Sequence, residues 1–239
     1  MASFVTSSGR SRRLLVLAVA AAAAALMLVI PSTEHADAAG GHVGTTAQHQ
    51  SGQDTTVAIR NATQLQFHDA MRKLWEDHVT WTRLAIVSFI DDNPDLSATV
   101  DRLMANQDDI GDAIKPYYGN TAGDQLTTLL KEHISVAVQI LTAAKAGDTA
   151  GVQSASATWY ANADEIADFL AGANPNLSDE GMRAMMRKHL DDTLAEAVNE
   201  LGGNYAAGVQ DYDSIHEHIL MMSDTLSSAI MQQFPRRFR

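Results

Sequence analysis

The 239-residue chain contains no cysteine. That removes disulfides, thiolate metal sites, a cysteine nucleophile, a lipoprotein anchor and the Cys-x-x-Cys-His attachment of a c-type haem. Glycine-rich phosphate loops of the P-loop or dinucleotide type are missing, as is the Gly-x-Ser-x-Gly elbow. Beyond residue 60 proline stands only at 94, 116, 175 and 235. No stretch alternates apolar and polar residues as a half-buried strand would. Basic residues are scarce: 17 Lys and Arg face 29 Asp and Glu, a net charge of −12. Such a surface repels phosphodiesters and anionic head groups, which argues against nucleic acid as a partner.

One long apolar run is present. Leu14–Ile30 follows Arg10, Arg12 and Arg13 and precedes Ala36-Asp37-Ala38, the small-x-small form of a signal-peptidase site. Residues 1–38 therefore read as a signal peptide, with the mature chain starting at Ala39, or as an N-terminal membrane anchor. As a helix the run reaches about 25 Å, slightly short of a hydrocarbon core of about 30 Å. Ser11-Arg12-Arg13-Leu14-Leu15 also resembles a twin-arginine export signal lacking its usual downstream lysine. Each reading puts the protein outside the cell or on the extracytoplasmic face of the membrane. Residues 1–38 hold three basic and two acidic residues, so the remainder carries −13. Residues 39–60, rich in Gly, Thr, Gln and Ser, read as a flexible linker. Residues 61–234 read as the folded domain. Residues 235–239, with Arg236, Arg237 and Arg239, read as a basic tail complementing the negative end of the last helix.

Apolar residues in the domain recur every three or four positions. The period predicts helices near 62–91, 97–115, 121–146, 148–171, 179–201 and 205–233, with Asn120, Asp148 and Ser178 as N-caps. The fold class is all-α, an up-down bundle of about six helices. An internal echo adds to this. Phe89-Ile90-Asp91-Asp92-Asn93-Pro94-Asp95-Leu96-Ser97 resembles Phe169-Leu170-Ala171-Gly172-Ala173-Asn174-Pro175-Asn176-Leu177-Ser178, and Gly119-Asn120 returns as Gly203-Asn204. The echo predicts a pseudo-twofold duplication of a three-helix unit.

The histidines follow the apolar stripes. His78 shares a stripe with Trp75 and Thr82, His133 with Leu130 and Ala137, His189 with Met186 and Thr193, and His216 with Tyr212 and Ile219. Each lies near the middle of its helix, so antiparallel neighbours would bring the four to similar depth. Neutral imidazole is the commonest ligand of Zn, Cu and Fe, with nearby acids joining or orienting it. His78, His133, His189 and His216 are the expected metal ligands, with Glu76, Glu132 and Asp213 as acids. Met182, Met185 and Met186 flank His189, and Met221 and Met222 flank His218, a thioether-imidazole set suited to Cu(I). Trp75, Trp159, Asn162 and Tyr212 are expected beside a bound cofactor, and a b-type haem between two inward histidines remains open. Each histidine taken alone is a core residue bonded to a carboxylate or carbonyl, and Glu76 alone pairs with Arg72 one turn away. The di-iron bundles need Glu-x-x-His on two helices; only Asp213-x-x-His216 comes near. A ferritin-like oxidoreductase therefore ranks third. A binding protein stands first, and a cell-surface interaction module with structural histidines second. The protein partner and oligomeric state are not legible.

Leu74-Trp75-Glu76-x-His78-Val79-x-Trp81-Thr82-Arg83, Trp159-Tyr160-Ala161-Asn162-Ala163-Asp164-Glu165-Ile166-Ala167 and Asp213-x-Ile215 resemble a family of small helical proteins of Gram-positive bacteria, over about residues 70–234. Some members carry an acetylglutamate kinase label. Amino-acid kinases are α/β folds with glycine-rich phosphate sites, and this sequence has neither feature. The resemblance implies a helical fold and transfers no catalytic residue.

Overall fold

The computed structural model describes residues 58–239. The apolar run, the proposed cleavage site and nearly all of the linker lie outside the described residues. Six helices follow one another: α1 Ala62–Ile90, α2 Leu96–Tyr118, α3 Asn120–Ala146, α4 Thr149–Ala173, α5 Asp179–Gly202 and α6 Tyr205–Gln233. A single 3-10 turn, Pro235–Phe238, closes the chain, and no strand occurs among the described residues. Each helix packs on the next and α6 returns to α1, so the six make a closed up-down ring around a large apolar cluster and a small second one of Ala85, Leu103 and Ile134.

Local chemistry sets the boundaries. Asn61, Asp148 and Ser178 accept hydrogen bonds from the backbone N–H of Gln64, Gly151 and Gly181, satisfying donors that the helix itself leaves open. The expected cap at Asn120 falls one residue earlier. Gly119, at φ 85°, makes the turn, and Asn120 is already helical. α2 was expected to stop before Pro116 but continues to Tyr118. The backbone hydrogen bond that proline forfeits is offset by what the last turn gains. The ring of Tyr117 stacks on Phe238 at 5.3 Å, and the Tyr118 hydroxyl donates to Gln233 Oε1 at 2.7 Å.

The basic tail does more than balance a helix dipole. Phe238 is buried against Phe67 and Tyr117, Arg237 donates to the Pro116 carbonyl at 2.6 Å, and Asn61 Nδ2 donates to the Phe238 carbonyl at 2.8 Å. Both ends of the domain are thus tied together at one end of the ring.

Burial repeats from one half to the other. Met71, Trp75, His78, Ala85 and Ile86 of α1 stand where Val152, Ser156, Trp159, Ile166 and Ala167 stand in α4. Leu103, Asn106 and Ile114 of α2 correspond to Met186, His189 and Ala197 of α5. Gly123, Leu130, His133 and Ile134 of α3 correspond to Gly208, Ile215, His218 and Ile219 of α6. Only the α1 and α4 pairs keep the spacing of the Asn-Pro echo; the other two sets are shifted from it.

α2 and α3 come close together at Gly111 and Gly123. A methyl group placed on Gly123 would lie 2.6 Å from the Gly111 carbonyl oxygen, a backbone atom that cannot step aside alone. Gly123→Ala is expected to lower the unfolding free energy in urea by about 1–3 kcal/mol. Gly172→Ala, where the new methyl meets nothing within 4 Å, should raise it by about 0.4–1 kcal/mol. Equal effects at the two positions would refute a backbone-to-backbone crossing.

Candidate ligand-binding site

Antiparallel packing brings one buried polar group from every helix to the same level. His78 of α1 accepts at Nδ1 from Gln107 Nε2 of α2, 3.3 Å away. His133 of α3 meets Asn162 of α4, with 2.9 Å between Nδ1 and Oδ1. The ring of His189 on α5 lies 5.7 Å from that of His78 and 6.5 Å from that of His133, centre to centre. His218 of α6 donates through Nε2 to the Met185 carbonyl on α5 at 2.9 Å. Asn106 of α2 completes the layer, its Nδ2 donating to the Leu74 carbonyl at 3.0 Å. Mainly apolar residues fill the core on either side.

Three of the four expected metal ligands, His78, His133 and His189, do come together. They line a cavity of about 50 Å³ whose other walls include Thr82, Leu103, Ile134, Trp159 and Thr193. Half-buried Val138, Leu141 and Leu194 stand among its lining, where the cavity approaches solvent. Trp159 stacks on His133 at 5.0 Å, and its indole N–H donates to the His133 carbonyl at 3.0 Å.

The rest of the expected set is elsewhere. His216 sits at the surface, where its Nε2 is 3.1 Å from Glu76 Oε1. Glu76, Glu132 and Asp213 are exposed. Glu76 does not pair with Arg72, whose guanidinium goes to Asp224 at 3.4 Å. Tyr212 lies beyond the cavity wall: its hydroxyl is 3.2 Å from Thr80 Oγ1 and its ring is covered by Arg83. Trp75 touches His78 edge-on at 5.9 Å without lining the cavity. Among the described residues, no group of three His, Cys, Asp or Glu is spaced to hold a metal ion.

His218 takes the place assigned to His216. Two stripes run along α6 about half a turn apart. The one through Ile215, His218, Met222 and Leu226 faces the core, while the one through Tyr212 and His216 faces the α1 seam. The apolar residues at 215, 219, 222 and 226 carried that signal. Asn106 and Gln107, fully buried between Leu103 and Ile110, were also passed over because no histidine marked them.

Electrostatics keep the layer neutral. Burial, reinforced by nearby His133, pushes His78 down to about 3. Burial pushes His133 down to about 4 against the opposing pull of its Asn162 bond, and His189 is held well below 6.5 by burial and by His78, His133 and His218. These imidazoles carry no proton charge at neutral pH. Several polar atoms are buried without a hydrogen-bond partner, among them His133 Nε2, His189 Nδ1, His218 Nδ1, Gln107 Oε1, Trp75 Nε1 and Ser223 Oγ. A buried orphan of this kind costs about 1–3 kcal/mol, so such groups call for an occupant or a function.

Near the cavity the stripe of α5 becomes charged. Glu196 and Glu200, 1% and 5% exposed, share the Arg83 guanidinium of α1, which also donates to the Gly208 carbonyl of α6 at 3.2 Å. Two carboxylates on one cation leave a buried excess of negative charge. Burial, with Glu200 and Asp211 nearby, pushes Glu196 up to about 7 despite Arg83.

Comparison with protein-family models, with curated proteins and with solved structures finds no match. The site is therefore argued from its own chemistry.

Stability should fall in acid. Native His78 and His133 titrate near 3 and 4, and unfolded histidine near 6.5. Between these values the unfolded chain binds more protons, so stability present above about pH 6.5 is lost as pH falls. Each histidine contributes a slope of about 1.4 kcal/mol per pH unit. Glu196 acts in the opposite direction: its native affinity for a proton is raised, so its contribution is full below about 4.5 and lost as pH rises through about 7. Urea unfolding across pH 4–8 should show a net fall toward acid, made steeper by Glu196→Gln. A flat profile would show that the histidines are not buried neutral.

Proposed function

We propose that this chain is an exported binding protein, not an enzyme, that holds one small ligand in the cavity lined by His78, His133 and His189. The observation that carries the reading is the pair of unpartnered nitrogens, His133 Nε2 and His189 Nδ1, on buried rings that line a cavity. A cavity of about 50 Å³ with mainly apolar walls has room for several atoms, since one water needs roughly 10–15 Å³ and a cavity of about 150 Å³ takes benzene. A haem is far larger and would require the helices to part. Export rests on the Leu14–Ile30 run and the Ala36-Asp37-Ala38 site.

A transition metal (Cu, Zn or Fe) is the second reading, and the Asn162 bond favours it. Metal-binding imidazoles commonly donate their other N–H to a fixed oxygen, as His133 does. The required change is local: rings now 5.7 and 6.5 Å from His189 would have to turn their nitrogens to a common point.

The test uses protein purified without an affinity tag. Its metal content is measured, and its melting temperature is followed against transition metals and small polar molecules. A true ligand at one hundred times its Kd stabilises by about 2.7 kcal/mol. His133→Leu should keep the helical circular dichroism and abolish that gain. If no metal or molecule stabilises the wild type more than the variant, the histidines are structural and the proposal fails.

A further inference from the structure

The apolar core is interrupted beside the histidine layer. Ala85, Leu103 and Ile134 form a small cluster separate from the large one. All three line the cavity of about 50 Å³, and so do Ile140 and Trp159 of the large cluster, so the cavity lies between the two. Most polar groups in its wall are committed to the chain. The Thr82 and Thr193 hydroxyls donate to the His78 and His189 carbonyls, each at 2.8 Å, and the Trp159 indole N–H donates to the His133 carbonyl at 3.0 Å. His133 Nδ1 is bonded to Asn162 and His78 Nδ1 to Gln107, while the unpartnered His133 Nε2 and His189 Nδ1 are buried out of reach of an occupant. What remains for the wall is mainly carbon, and no carboxylate, ammonium or guanidinium group lines it.

We infer that the cavity takes a nonpolar molecule of roughly two or three heavy atoms, such as ethene, held by dispersion contacts with both clusters. This rests on the reading of the cavity as a ligand site and names the class of the ligand. Volume sets the upper limit, since benzene needs about 150 Å³. Water is a poor occupant, because a buried water needs about two to four polar partners and this wall supplies few. An ion or a strongly polar molecule would leave its hydration behind with nothing to replace it. A nonpolar molecule gives up no hydrogen bond on leaving water. It also restores contacts that the atoms on either side of a gap forfeit, and so joins the small cluster to the large one. Where the cavity approaches solvent, half-buried Val138, Leu141 and Leu194 present apolar side chains to an entering molecule. With so few atoms in contact, the affinity is weak, roughly millimolar.

The experiment records proton–carbon correlations of the methyl groups in the full-length protein, labelled at Ile, Leu and Val. Ethene and xenon are dissolved under pressure, and methanol, formamide and Zn²⁺ are added to separate samples. Exposed Leu65 and buried Ile215, which does not line the cavity, serve as controls. Both gases should move the Leu103, Ile134 and Leu194 methyls saturably, with midpoints that are roughly millimolar, and leave the controls in place. Methanol, formamide and Zn²⁺ should not. If any of these three moves the same methyls as much as ethene does, the inferred class is wrong though the cavity remains a ligand site. Movement with xenon but not ethene would mark a packing void and overturn the inference. If no added substance moves these methyls, both the inference and the ligand-site reading fall. The readout is on the wild type, so it does not depend on a variant that folds.

Discussion

A buried imidazole must have its hydrogens and lone pairs met inside the protein, or remain a standing cost. The rest of this structure is organised by that constraint. Six helices deliver polar side chains to one level of a mainly apolar bundle, and water is not freely available there. Burial strips the imidazoles of charge, because an unpaired cation in such a place is far costlier than a neutral ring. Neutrality in turn makes each ring a donor on one nitrogen and an acceptor on the other. Neighbouring amides then decide which is which. Asn162 fixes His133, Gln107 fixes His78 and the Met185 carbonyl fixes His218. Only His189, in the middle, is left without such an instruction.

The charged cluster beside the layer works by a different rule. Arg83 cannot shed its proton, so the adjustment falls on the carboxylates. Glu196 and Glu200 compete for one guanidinium, and Glu196 is pushed toward holding its proton. Ion pairs of this kind add little net stability when their desolvation is counted. What they add is geometry: Arg83 joins α1 to α5 and, through the Gly208 carbonyl, to the start of α6. Glycine at 208 permits this, since a methyl there would meet Glu200 Oε1 at 2.6 Å. The seam that closes the ring is thus held by a cluster on the same face of α5 as His189 and Thr193.

Helix number, spans and caps were legible because they depend on local periodicity and on residues such as Asp148 and Ser178 whose chemistry is short-range. The continuation of α2 through Pro116 was not, since it depends on Phe238, far away in the chain. The layer was legible in part. Mid-helix histidines on apolar stripes gave His78, His133 and His189 correctly as neighbours. On α6 two stripes compete, and a sequence does not say which one a closing helix turns inward. Arg83, Glu196 and Glu200 escaped notice for a related reason. A charged residue reads as surface until a partner is assigned, and the partner of Arg83 lies more than a hundred residues away. Asn162 was read as a partner for a core histidine or a ligand, and it is bonded to His133.

Positions equivalent by burial hold different groups: His78 faces Trp159 in the pairing, and Asn106 faces His189. Trp159 fills its place with a large ring and satisfies its N–H on the His133 carbonyl, and Asn106 satisfies its amide nitrogen on the Leu74 carbonyl. Their counterparts are smaller in the first case and lack a fixed partner in the second. A layer serving helix register alone would gain from satisfying every member, because a half-satisfied network is worse than an apolar one. Here unmet polarity and empty volume meet on the same two rings, His133 and His189, with the orphaned nitrogens turned away from the volume itself. That conjunction, more than the number of histidines, is what supports the proposed ligand site.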